Sequence, residues 1–173
     1  MKTCLAVVAT LLLSFTAASP ASAQGVFKVE KGQALNKIVP KEFVLEENAI
    51  PTEKRNSVLV LTPAGARVVA GLLDTSGYSS QVQEKYLGML IAEGSLEVSG
   101  HKLGVGSYGF GLVKEPGAAH PSKFMLYNQA GEKIAECPAK WDANLKSPRP
   151  LQVVVDQGGT ARLYMGRTWV ELK

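Results

Sequence analysis

Cysteine is nearly absent from this chain: 173 residues hold two, Cys4 and Cys137. Cys4 falls inside an N-terminal leader, so the mature chain is expected to keep Cys137 alone, which excludes an intrachain disulfide. Cys4 also precedes the apolar run of that leader instead of following it, which argues against lipid attachment. Cys137 reads as a small buried hydrophobe in a strand. Histidine is as scarce, with His101 and His120 alone. No H-x-H, H-x-x-x-H or C-x-x-C spacing and no Asp-rich calcium loop occurs, so neither a metal nor a cofactor is expected. A G-x-S-x-G nucleophile elbow is missing, and no catalytic residue can be assigned. Charge of one sign is not in large excess: 19 Lys and Arg stand against 15 Asp and Glu, a net +4. The basic residues are scattered, with Lys54-Arg55 the only adjacent pair. That lack of a clustered patch argues against a nucleic-acid partner.

What is present begins with an address. Met1-Lys2 carries a positive charge, Leu5–Phe15 is apolar or small throughout, and Ala21-Ser22-Ala23 precedes Gln24. This is the order of a secretory signal peptide, residues 1–23. The run is shorter than the about 20 apolar residues that cross a bilayer, and no later segment is long enough to span. The remainder, residues 24–173, has the length of a single domain with a sizeable core. An exported domain of this size without a disulfide fits a bacterial periplasm or secretion from a bacterium.

The mature chain alternates short apolar runs with turn residues, the pattern of an all-β domain. Strands are expected over Val26–Val29, Glu42–Leu45, Ser57–Thr62 and Arg67–Leu73, the last two joined by a Pro63-Ala64-Gly65 turn. Ser80 with Gln83 matches a capping box. It predicts a turn or short helical turn over Ser79–Glu84, with a strand through Lys85–Ala92. Further strands are expected over Ser95–Val98, Ser107–Lys114, Lys123–Tyr127, Lys133–Cys137, Leu151–Val155, Ala161–Met165 and Thr168–Leu172. Hairpin turns fall at Asn128–Gly131 and Asp156–Gly159. About ten strands in one domain imply an antiparallel β-sandwich or a partly closed barrel.

Gly104–Gly109 (GVGSYG) matches G-x-G-x-x-G, but a dinucleotide fingerprint needs a helix to follow, and an alternating strand follows here. Read differently, Ser95–Val113 is a strand, a tight turn, then Leu103-x-x-Gly106-x-Tyr108 opening a second strand. This pattern, continued by Phe124–Gln129, resembles that of a family of exported bacterial β-sandwich domains of uncharacterised function. The resemblance covers about residues 95–129. It implies a fold and a compartment and no activity.

Three places invite a ligand or partner. Tyr108, Phe110 and Leu112 face one side of their strand, leaving Gly109 and Gly111 as a trough on the other, to be filled by an aromatic or by a ligand. Asp74-Thr75-Ser76-Gly77-Tyr78 follows a buried strand and forms either an Asx-type turn or a binding rim around Asp74 and Tyr78. Trp141, beside Lys140, Asp142 and Asn144, either caps an open end of the sandwich or anchors a partner. Glu93 and Glu97 read as solvated charges, not as a glycosidase pair. The expectation is therefore an exported, non-catalytic binding or structural domain of the bacterial envelope, engaging a protein or glycan, with homo-oligomerisation left open. Two alternatives stand beside it. One is a barrel carrying a small apolar ligand, which needs an open interior. The other is a hydrolase whose site pairs His101 or His120 with a dispersed acid or serine.

Overall fold

A computed structural model describes residues 25–30 and 32–173; the expected signal peptide lies outside the described residues. Among the described residues, fourteen strands and two short helices follow one another. They are β1 (Lys28–Glu30), α1 (Gln33–Ile38), β2 (Glu42–Leu45), β3 (Asn48–Leu61), β4 (Arg67–Leu73), α2 (Ser80–Lys85), β5 (Gly88–Ala92) and β6 (Leu96–Val98). Then come β7 (His101–Leu103), β8 (Gly106–Val113), β9 (Lys123–Tyr127), β10 (Lys133–Pro138), β11 (Lys140–Trp141), β12 (Arg149–Val155), β13 (Ala161–Gly166) and β14 (Thr168–Leu172). All pairings are antiparallel.

The strands form two sheets that do not close into a barrel. The larger runs β1-β3-β4-β5-β8-β9-β10, with β2 also on β3; the smaller runs β12-β13-β14-β6-β7, with β11 also on β14. The alternation of each strand decides which side meets the other sheet. Val68, Ala70 and Leu72 of β4, Leu90 of β5, and Phe124 and Leu126 of β9 point at the smaller sheet, which answers with Leu163, Val170 and Leu172. Phe110 and Phe124 stack at 5.2 Å in this interior and neither is exposed. The space an apolar-ligand carrier would need is thus filled by side chains, each worth about 1.5–3 kcal/mol when removed from water.

The larger sheet has a second core on its other face. Leu59, Val69, Met89, Met125 and Tyr127 point outward there and are covered by Val39 beyond α1, Phe43, Leu45 and Ile50 of the β2–β3 hairpin, and Val82 and Tyr86 around α2. Burial on both faces explains why Ser57–Val60 is almost continuously apolar.

Several boundaries differ from the sequence-based expectation. β3 begins at Asn48, nine residues before the expected strand, because Asn48–Pro51 pairs with β2 as a hairpin despite its polar content and Pro51. The helical turn is capped by Ser79, whose hydroxyl accepts from the Val82 amide at 3.4 Å, not by Ser80. α1, β7 and β11 are short elements without enough periodicity to be read in advance.

Candidate functional site

The glycine trough of β8 is buried and already occupied. A side chain at Gly109 would meet the Tyr86 ring at 2.9 Å and Leu45 at 3.0 Å, and one at Gly111 would overlap the Lys85 carbonyl oxygen. The C-terminal end of α2 and the β2–β3 hairpin fill the place a ligand would take, so Gly109 and Gly111 offer no binding surface.

A polar lock holds that cover down. Glu46 and Glu47 form the two-residue turn between β2 and β3, both at positive φ (48° and 63°). Such a turn ordinarily takes Asn or Gly, and its left-handed backbone costs of order 1–3 kcal/mol per residue outside those types. The geometry brings the Glu46 carboxylate to Lys85, whose ammonium donates to it and, at 2.6 Å, to the Gly131 carbonyl. The Tyr86 hydroxyl donates to the same carboxylate at 2.8 Å. Lys85 lies 5.2 and 5.0 Å from the Tyr86 and Tyr127 ring centres. The bonds from Lys85 and Tyr86 hold the Glu46 carboxyl below its ordinary range. Burial, then the Glu46 carboxylate, pushes the Tyr86 phenol well above its own, so it remains a donor.

Asp74 and Tyr78 are likewise engaged by their own chain. The Asp74 carboxylate accepts from the Ser76 hydroxyl at 2.6 Å and the Ser76 amide at 3.2 Å, which together lower its pKa. This is an Asx turn. The Tyr78 hydroxyl donates to the Ala49 carbonyl at 2.5 Å, tying the α2 approach to β3.

Trp141 is 41 % exposed. Its ring stacks on His120 from the β8–β9 loop, with centroids 3.6 Å apart and planes 2° from parallel. It therefore clasps a loop of the larger sheet to β11 of the smaller. The outer face of the smaller sheet carries a second indole. Trp169 lies 4.6 Å from the Arg162 guanidinium and 5.1 Å from the Lys140 ammonium, supplied by the strands on either side of β14. Among the described residues neither histidine ring hydrogen-bonds to an acid or a serine, and no group of three His, Cys, Asp or Glu is placed to hold a metal. Cys137 is 2 % exposed, and burial raises its thiol pKa. It is expected to resist a thiol-specific disulfide reagent in the native protein and to titrate fully in denaturant. Rapid native labelling would contradict this placement.

Several recesses are open; one of about 580 Å³ lies beside Phe27 and Leu172, and one of about 470 Å³, a groove between the two sheets, carries two arginines. This groove forms where β3 lacks an outer neighbour: β2 pairs Asn48–Pro51, β1 pairs Leu59–Leu61, and among the described residues no strand pairs outside the stretch between. In that gap the β3–β4 register shifts between Glu53 and Ser57, and Lys54, Arg55 and Asn56 leave the ladder. The opposite wall is β12, the edge of the smaller sheet, whose register on β13 shifts between Arg149 and Gln152. Bulges re-aim side chains at sheet edges. Here the two deliver Arg55 and Arg149 to one groove. Asn56 donates to the Glu53 carboxylate at 2.5 Å, and the Gln152 amide donates to the Ser147 carbonyl at 3.3 Å, fixing each bend. Among the described residues neither arginine forms an ion pair.

Sequence reasoning missed this pair. Lys54-Arg55 registered only as the one adjacent basic pair, and Arg149 lies between Pro148 and Pro150, a flank that marks an edge strand. Nothing along the chain links positions 55 and 149; the sheet packing does. Comparison with known proteins adds no relative: no family profile, no curated protein and no solved structure matches this chain.

Proposed function

We propose that this chain is an exported, non-catalytic binding domain of a bacterial envelope, engaging a protein or glycan partner through the groove between β3 and β12. The observation that carries the reading is the convergence of two sheet irregularities on one open recess, each presenting an arginine that has no carboxylate partner among the described residues. Binding surfaces are commonly built this way, on irregular segments held by a rigid scaffold. The leader-like residues 1–23 support export. A protein isolated from the envelope fraction is expected to begin at Gln24, and an N-terminus retaining Met1 in that fraction would contradict the proposed processing.

The binding reading is tested by photo-crosslinking in cells. A photoreactive residue replacing Asn56 in the groove is expected to give discrete adducts. The same residue replacing Val105, 73 % exposed between β7 and β8, is expected to give none. Identical adduct patterns from the two positions, or none from Asn56, would count against the groove.

A further inference from the structure

Resting on that reading, we infer that the ligand of the β3–β12 groove is an extended, acidic polypeptide segment, with its carboxylate held by Arg55 and Arg149 and its aliphatic side chains against the groove walls. Three observations select this chemistry. First, the two guanidiniums are exposed and form no ion pair among the described residues, and a guanidinium fork matches a carboxylate in geometry and charge. Glu30 also lines the groove and is paired with neither arginine. Second, Val29, Leu35, Val58, Leu151 and Val153 line the groove among the polar Asn56, Ser57, Ser147 and Gln152, a mixed wall that meets aliphatic side chains and main-chain amides alike. No aromatic ring lines the groove. Sugars are usually held by stacking on such rings, so a lining without one fits a peptide better than a glycan. Third, both walls are sheet edges. Among the described residues β12 pairs along β13 alone, and β3 has no outer strand between Pro51 and Leu59. Edge backbone of this kind is what an extended peptide uses for main-chain hydrogen bonds. Pro150 interrupts the donors of β12, so recognition concentrates around the bulges and a long added strand is disfavoured.

The test is an array of blocked heptapeptides with a central glutamate and varied flanking residues. It is probed at low ionic strength with the residue 24–173 domain and with its Arg55→Ala, Arg149→Ala and double variants. Polygalacturonate serves as the acidic glycan. Both arginines are on the surface, so the variants are expected to keep the thermal unfolding midpoint of the parent, which is measured alongside. The expected result is saturable binding of peptides rich in Val, Ile or Leu beside the glutamate. Affinity should fall about tenfold with each single variant and about a hundredfold with the double, as for charge-assisted hydrogen bonds of ordinary strength. Replacing the central glutamate by glutamine should cost a similar factor. Arginine-dependent retention of polygalacturonate without any peptide would overturn the peptide assignment while sparing the binding groove. Retention of neither, or retention insensitive to both arginines, would overturn both.

Discussion

Gly111→Ala is expected to destabilise the protein by about 3 kcal/mol, the upper part of the usual range for forcing volume into a packed core. A single methyl does this because of what it meets. The Cβ would overlap the Lys85 carbonyl oxygen, a main-chain atom at the end of α2 that cannot rotate away. Relief requires α2 to lift, and lifting α2 uncovers Val82 and Tyr86, which are 6 % and 1 % exposed. Gly109→Ala is expected to cost less, since its Cβ meets side-chain atoms of Tyr86 and Leu45 that have some freedom to shift. Gly77→Ala is the control, with open space around it and no positive φ. Urea unfolding of the three variants measures the order. A Gly111→Ala protein as stable as Gly77→Ala would mean that α2 does not lie on β8.

Glu46→Ala is expected to cost about 2 kcal/mol at neutral pH, because it leaves a fully buried Tyr86 and a half-buried Lys85 without their shared acceptor. The turn strain does not enter the difference, since Ala at a positive φ replaces Glu at the same φ. The pH dependence has a definite sign. The folded Glu46 carboxyl lies below its ordinary value of 4.5, so its contribution is complete above that value and disappears as pH falls through the lower folded one. The gap between parent and variant should therefore be constant from neutral pH down to about 5 and shrink below 4.5. Glu46→Gln should retain part of the stability, since an amide oxygen still accepts from Tyr86, and should show the flattened acid profile of the alanine variant. A gap that widens in acid would show that the lock is not what holds the hairpin.

These two predictions concern residues that the sequence presented very differently. Gly109 and Gly111 were legible as a bare strip opposite Tyr108, Phe110 and Leu112, because alternation along a strand is local and has a period of 2. What fills the strip was not legible. Tyr86 stands more than twenty residues from Gly109, and Glu46 about forty from Lys85; only the folding of the β2–β3 hairpin over the sheet brings them together. Asp74 and Tyr78 show the opposite case. Their turn is made by bonds within a few residues, so the Asx pattern could be read directly, and Tyr78 reached beyond it only through the Ala49 carbonyl. Trp141 was singled out as an aromatic in an irregular stretch, but its stacking partner His120 belongs to a loop of the other sheet.

By itself the sequence determined the all-β class, most strand positions and the hairpin turns. These follow from short-range rules: side chains alternate along strands, and glycine and proline constrain turns. Only the tertiary structure decided that one sheet is buried on both faces and the other on one, that the glycine strip is a packing surface, and that Arg55 and Arg149 share a groove. The reason is physical. Which strands lie beside each other, and where their ladders slip to form bulges, depends on the packing of two cores at once, and no local stretch of chain carries that information.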